Sequence, residues 1–274
     1  MAGAGPDVDD GSRSGERGCD DGTGAVVVTG AQRGIGLAIA EGFARAGRAV
    51  VVADLDESAS GEALGERWGA RAPVIARRCD VADETEVEAL FDAIEAALGA
   101  PPLHLVNNAA VQTWSSLVDH DLAAFRATLE INVTGTFLMT QRFARRRIRV
   151  GGGGSIVNLG SGCNALAFPM LSGYVASKGA IETLTKSAAL ELGAHDIRVN
   201  CVAPGAIETE RTRAETDGYA GRWSPLTPLG RVGTVEDVAR AVVALAGDAF
   251  GFVSGQTLDI DGGLFARAPW PEAY

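Results

Sequence analysis

Tyr174 and Lys178 stand four residues apart in the stretch SGYVASKG, which runs from Ser172 to Gly179. On a helix, residues i and i+4 share one face, so a phenol and an ammonium would lie side by side. Free tyrosine titrates near about 10 and free lysine near about 10.4, so neither trades protons readily at neutral pH. A neighbouring cation favours the phenolate and lowers the phenol's pKa. A shift of roughly three units, at about 1.4 kcal/mol each, would bring the phenol to the range where an acid–base group works best. Two more polar residues fall in register with the pair. Ser161 closes the apolar run SIVNLGS 13 residues before Tyr174, and Asn132 lies within LEINVTG. Gathered at one end of a sheet, these four side chains could transfer a proton to or from a bound oxygen.

The segments that must position them alternate along the chain. Seven short runs are apolar and rich in β-branched residues: AVVVT (25–29), AVVVAD (49–54), PVIARRCD (73–80), LHLVNNAA (103–110), SIVNLGS (155–161), IRVNCVA (197–203) and QTLDID (256–261). Such runs suit strands covered on both faces. Between them lie helical patterns. Ile35, Ile39 and Phe43 recur on one face of the first, and Gly47 is placed to end it. Others are expected near 58–68, over 84–98 with Val87, Leu90, Phe91 and Ile94 on one face, over about 121–147, around Tyr174 and Lys178, and over about 234–246. Strands alternating with helices predict an α/β fold: one doubly wound domain with a seven-stranded parallel sheet and helices on both faces. The domain is expected over 25–265, after an acidic tail over 1–24 and before a short tail over 266–274.

The first strand-to-helix junction reads TGAQRGIG and contains Gly30, Gln32, Arg33, Gly34, Ile35 and Gly36. Gly30 suits a tight turn, Gly34 a close approach of a pyrophosphate, and Gly36 close helix packing; the helix N-terminus offers free N–H groups to the phosphates. This strand–turn–helix context predicts a dinucleotide site of the Rossmann type. Asp54 ends the second run 18 residues after Gly36. A carboxylate there can accept hydrogen bonds from the adenosine ribose and would repel a 2′-phosphate, which favours NAD over NADP. Arg33 points the other way, since a guanidinium can pair with that phosphate. Asp80, with Val81 beside it, is expected to meet the adenine; a helix cap is the alternative for Asp80.

The ordered set resembles the short-chain dehydrogenase/reductase family. The matching pieces are the glycine turn, NNAA, Asn132, Ser161, Tyr174 with Lys178, PGAIET (204–209) and SGQTLDIDGG (254–263), spanning 25–263. The resemblance implies an oxidoreductase moving a hydride between a nicotinamide and a secondary alcohol or its ketone. In that case Tyr174 is the proton donor and acceptor, and Ser161 hydrogen-bonds the reacting oxygen. Lys178 binds the nicotinamide ribose and acidifies Tyr174, while Asn132 holds a water linking Lys178 to solvent. Asn108 meets the middle of the cofactor, and Pro204, Gly205, Ile207 and Thr209 meet its nicotinamide end. Where the family usually has NNAG this chain has Ala110, whose methyl would narrow the cofactor groove slightly. A 3-oxoacyl thioester or carrier-protein reductase using NADPH is the alternative within the family. A non-catalytic cofactor-binding regulator is the alternative outside it. The resemblance also implies a homo-oligomer, a tetramer or dimer.

Composition narrows the rest. The 274 residues carry a formal net charge of −11, which disfavours nucleic acid as a partner. No apolar run is long enough to span a bilayer, and the first 24 residues lack a signal-peptide core. With Cys19, Cys79, Cys163 and Cys201 widely spaced, free thiols in a reducing cytoplasm are expected. No His/Cys/carboxylate spacing suits a metal. The cluster Arg142, Arg145, Arg146, Arg147 and Arg149 reads as a solvated helix end, with docking of an anionic partner as the other possibility. The stretch 208–231, broken by Pro225 and Pro228, is expected to form a lid, with Tyr219, Trp223 and Trp114 as candidate pocket walls.

Overall fold

The computed structural model describes residues 24–266; the expectations for the N-terminal tail, for Cys19 and for most of the C-terminal tail lie outside them. Seven strands, β1 (Val26–Thr29), β2 (Val50–Asp54), β3 (Val74–Arg78), β4 (His104–Asn107), β5 (Gly154–Leu159), β6 (Ile197–Pro204) and β7 (Thr257–Ile260), form one sheet. Their order is β3-β2-β1-β4-β5-β6-β7, and every pairing is parallel. Val26, Val27 and Val28 of β1 are fully buried. Valine on every position, rather than every second one, fits a strand with helices on both sides.

Those helices form two layers. On one face α1 (Gly34–Arg45) packs with α9 (Val235–Ala246) over a cluster that includes Ile39, Phe43, Val238 and Val242. On the other, α3 (Glu84–Leu98) and α5 (Gly135–Arg149) cover Phe91, Ile94, Met139 and Phe143. α6 (Ser172–Leu192) packs on the same face as α3 and α5 through Ala188, Ala189 and Leu192, while α2 (Gly61–Trp68), α4 (Leu122–Leu129), α7 (Glu210–Glu215) and α8 (Tyr219–Trp223) flank the layers. Gly47 follows the first helix at φ +87°, the left-handed stop its position predicted. Between β1 and β4 the strand order reverses, which opens a crevice at the carboxyl ends of the strands.

Three expectations need correction. The helix expected over 121–147 is interrupted: α4 and α5 are joined by a π-helical turn at Glu130–Thr134. Wider turns of this kind re-aim a side chain without breaking the helix, and Asn132 lies inside it. The arginine cluster is a solvated helix end only in part, at the exposed Arg145 and Arg149. Arg142 and Arg146 are buried and pair with Glu84, Glu88, Asp92 and Glu95 of α3, while Arg149 pairs with Glu95. Arg147 donates to the Gly152 and Gly153 carbonyls. The charges fasten α5 to α3, because four acidic side chains of α3 face them. Finally, β3 ends at Arg78, and Asp83, not Asp80, caps α3 by accepting from the N–H groups of Thr85 and Glu86.

Candidate active site

A cleft of about 680 Å³ lies over the carboxyl ends of β1, β4, β5 and β6. At one end the first turn of α1 contributes Arg33, Gly34, Ile35 and Gly36. Gly36 is packed so closely on the turn that a Cβ would come within 2.3 Å of the Gly30 carbonyl. Gly34 differs: at φ +58° it opens on space with no atom within 4 Å of its missing side chain. A backbone N-terminus exposed beside such a gap is a cradle for a phosphate, so the residues present fit a dinucleotide.

Asn108 fixes this turn. Its Nδ2 donates to the carbonyls of Thr29 and Gly30, each at 2.9 Å, and its backbone N–H donates to Thr29 Oγ1. Gln32 does not face the cleft; its N–H donates to Asp54 Oδ2 at 2.9 Å and its side chain to the Ala59 carbonyl. The loop thereby holds the Asp54 carboxylate, which also accepts from the Asp56 N–H at 3.2 Å. Neither Asp54, Asp80 nor Val81 lines the main cleft. Asp80 accepts from the Ala82 N–H, and Val81 is buried against Gly135.

At the opposite end, Ser161, Tyr174 and Lys178 line the same cleft. Ser161 follows β5, and its extended backbone starts a short 3-10 turn that it caps with its own Oγ. Tyr174 and Lys178 rise from the first two turns of α6. Lys178 is only 3% exposed; its Nζ donates to the Leu159 carbonyl at 2.7 Å and lies 5.4 Å from the centre of the Tyr174 ring.

Burial sets the electrostatics of this pair in the protein alone. Burial pushes the Tyr174 phenol up to about 12, with a hydrogen bond to Ser161 and the charge of Arg211 opposing it only in part. Burial likewise pushes the Lys178 ammonium down to about 8. In the protein alone, loss of water is the largest cause of both shifts.

Asn132 lies behind the pair, fully buried. Its Oδ1 accepts from the Val111 N–H, and its two Nδ2 hydrogens go to the Val111 carbonyl and Ser177 Oγ, at 2.8–2.9 Å. The Ser177 hydroxyl donates in turn to the Tyr174 carbonyl at 2.7 Å. Both donors of the carboxamide therefore serve protein groups. The side chain braces the start of α6.

Pro204, Gly205, Ile207 and Thr209 continue the cleft beyond β6, and Thr209 caps α7. Tyr219, Trp223 and Trp114 reach the cleft as expected. Residues that the sequence did not single out complete it: Phe168, Phe265 and Arg211. Phe168 and Phe265 meet edge to face at 5.7 Å, and Phe265 covers Gly162, where a Cβ would come within 2.0 Å of its ring. For Arg211 a signal was present, since the Thr209 cap fixes the first turn that carries it. For Phe265 there was none, because only the fold brings the C-terminal segment back over β5.

A family model described as enoyl-(acyl carrier protein) reductase matches residues 30–265. Over 244 residues the chain is 38% identical to a 2,5-dichloro-2,5-cyclohexadiene-1,4-diol dehydrogenase of Sphingobium indicum, covering 88% of this chain and 96% of the relative. It is also 38% identical to a cis-4-hydroxycyclohexanecarboxylate dehydrogenase of Sinomonas cyclohexanicum, with the same 88% and 96% coverage. The chain belongs to the short-chain dehydrogenase/reductase family. As a member, it is an oxidoreductase that acts on a CH–OH group with a nicotinamide dinucleotide. A solved gluconate 5-dehydrogenase from Burkholderia cenocepacia, crystallised with NADP and tartrate, superposes with a TM-score of 0.82 at 36% identity, covering 89% of this chain and 96% of that one. Within the family fold, this dehydrogenase has the glycine turn and the Ser161/Tyr174/Lys178 group at opposite ends of one cleft.

Proposed function

We propose that the protein is an NAD-dependent dehydrogenase for secondary alcohols carried on an apolar ring. The observation that carries this is the aromatic lining of the cleft that holds Ser161 and Tyr174: Trp114, Phe168, Tyr219, Trp223 and Phe265 all contribute to it. Five aromatic faces suit a flat apolar ring better than an open polyol, whose hydroxyls would lose water without gaining partners. The two curated relatives described above act, by name, on alcohols carried by six-membered rings, one chlorinated and one bearing a carboxylate.

In this proposal Tyr174 takes the alcohol proton in oxidation and returns it in reduction, and Ser161 donates a hydrogen bond to the same oxygen. When bound, the nicotinamide supplies or accepts the hydride. Lys178 holds its ribose, and Asn132 is a positioning residue acting through Ser177 and the Tyr174 backbone. The glycine turn holds the pyrophosphate, Asn108 shapes that turn, and Pro204, Gly205, Ile207 and Thr209 border the nicotinamide. The segment 208–231 acts as the lid. Asp54, fixed by two backbone N–H groups, supports NAD, because a 2′-phosphate would meet its charge; Asp80 and Val81 border the adenine end. Exposed apolar side chains on two faces, Phe252 and Leu258 near β7 and Leu122, Phe137 and Leu190 on α4–α6, support a homo-oligomer. Three buried free cysteines support a reducing, cytoplasmic setting. A carrier-protein reductase has less support, since three of the five arginines suited to docking a carrier, Arg142, Arg146 and Arg149, are paired with α3.

Steady-state rates on 4-methylcyclohexanol, cyclohexane-1,4-diol and open-chain polyols, with NAD and with NADP, test this reading. The ring alcohols should give the higher kcat/KM, and NAD should exceed NADP by about tenfold or more, the worth of one hydrogen bond to a charged group. Asp54→Ala should narrow that ratio by a similar factor. A wild type faster on open-chain polyols, or faster with NADP, would overturn the respective half.

A further inference from the structure

Of the cationic side chains lining the cleft, two have evident employment. Arg33 stands at the glycine turn, and Lys178 is tied to Leu159 beside Tyr174. Arg211 is the remaining one among the described residues. It lies on α7, on the lid side of the cleft, and shares the cavity with Tyr174 and Trp223. Its charge acts on Tyr174, Lys178 and Tyr219 alike, and it lines the cleft that holds all three.

Its one ion pair among the described residues is a loose contact. Arg211 Nε stands 3.6 Å from Glu215 Oε1, with both side chains well exposed. That geometry steadies the Nε edge of the guanidinium and leaves the two Nη groups without an acceptor among the described residues. Guanidinium Nη groups form a planar fork that matches a carboxylate with two parallel hydrogen bonds. The surroundings make such a cation informative. The chain as a whole is strongly acidic, and Glu210 and Glu215 also border the cleft, so an anionic substrate would be repelled unless one group received it.

We infer that Arg211 is a specificity residue that receives a carboxylate on the ring substrate, which makes the preferred substrate a hydroxy acid built on an apolar ring. This rests on the proposed reading of the aromatic wall as a ring site. The ring lies among the aromatics with its hydroxyl at Ser161 and Tyr174, and its carboxylate reaches the lid. Binding of the acid would thereby draw α7 toward the cleft floor and couple substrate choice to closure.

The test compares wild type with Arg211→Leu and Arg211→Lys, using 4-hydroxycyclohexanecarboxylate against 4-methylcyclohexanol. In Arg211→Leu the acid-to-neutral ratio of kcat/KM should fall about 10- to 100-fold, the range for one charge-assisted pair. Arg211→Lys should restore only part of it, because an ammonium lacks the fork. Calorimetric titration of cyclohexanecarboxylate into the enzyme–NAD complex gives a readout independent of turnover: affinity should drop at least about tenfold in Arg211→Leu. An unchanged ratio with unchanged affinity overturns the inference. So does a loss confined to NAD affinity and equal for both alcohols, which would give the guanidinium to the dinucleotide instead. If wild type turned over neither ring alcohol, the proposed function would fail on its own account, and the titration would still decide the role of Arg211.

Discussion

The floor of the cleft and its lid are built on opposite terms. On the floor, polar side chains are buried and held by the sheet. Asn107 donates to Asn158 at 2.8 Å and to Thr140 at 3.1 Å, and Asn158 donates to Thr185 at 2.9 Å. With Asn132 on Ser177 and Lys178 on Leu159, this network ties β4, β5, α5 and α6 together under Tyr174. Across the cleft, α7 and α8 are five or six residues long, and the ion pairs Arg211–Glu215 and Arg213–Glu208 are both at 3.6 Å between exposed side chains. Exposed pairs of that kind contribute about 0–1 kcal/mol. Reaction geometry needs tolerances of a fraction of an ångström, which a buried hydrogen-bonded network can give. Selection among substrates and release of product need a part that opens at low cost. The comparison therefore assigns rate to the floor and choice to the lid.

The sharpest way to break that division is Tyr174→Phe. The change removes one oxygen and keeps the ring, so the floor should stay folded. Loss of a positioned acid–base group costs about 10²- to 10⁴-fold in rate. We expect kcat to fall by that amount, with the affinity for NAD, read by fluorescence titration, within about threefold of wild type. A variant that keeps more than about a tenth of the activity would put the proton transfer elsewhere in the cleft.

A second measurement asks how much strain the floor carries without its cofactor. Lys178 titrates near 8 in the fold against 10.5 for the ordinary group, because burial disfavours its charge. The folded state therefore releases this proton before the unfolded chain does, and Lys178 lowers stability below about pH 8 relative to pH 10.5. The contribution is recovered as pH rises through that window and amounts to up to roughly 3 kcal/mol. Tyr174 acts in the opposite sense at higher pH: its pKa is raised to about 12 from 10.0, so stability falls as pH climbs between those values. Urea unfolding of the cofactor-free protein at about pH 7 and about pH 10 should show wild type gaining on Lys178→Met at the higher pH. Parallel behaviour of the two proteins would mean that the buried ammonium is solvated, and the floor looser than its hydrogen bonds imply.

How legible all this was depends on the range of the interactions. The strand runs and helix faces are local patterns: five strands fall within the predicted segments, and β5 and β6 each extend one residue beyond theirs. Gly34, Gly36, Ser161, Tyr174 and Lys178 carry chemistry at short spacings, and the fold brings them into one cleft. The failures are long-range. Arg142 and Arg146 meet acidic partners more than fifty residues away, so a basic run read alone looks solvated. In the π-helical turn, the Asn132 carboxamide donates to Val111 and Ser177, which come from distant segments. The pKa of Tyr174 depends on burial, which sequence spacing cannot express. The substrate wall was half legible: Trp114, Tyr219 and Trp223 stand in polar loops where large aromatics need a reason, whereas Phe265 arrives by the return of the C-terminal segment.

The smallest effect concerns the lid itself. Trp223 ends α8, lines the cleft and lies 6.3 Å from Tyr219, ring centre to ring centre. It is half-buried, so truncation removes contact area from the substrate side and little from the core. Trp223→Ala should raise KM for ring alcohols about three- to tenfold, matching the loss of one partly buried aromatic contact worth roughly 1 kcal/mol. The midpoint of thermal unfolding should move little, because surface changes away from the core stay within about 0.5 kcal/mol. The split between KM and kcat is the informative quantity. A loss of binding shared by ground and transition states raises KM alone, whereas misplacement of the reacting carbon lowers kcat. A fall in kcat with KM unchanged would show that the lid positions the reacting carbon as well as choosing it, and the separation of rate from choice would then have to be drawn inside the floor.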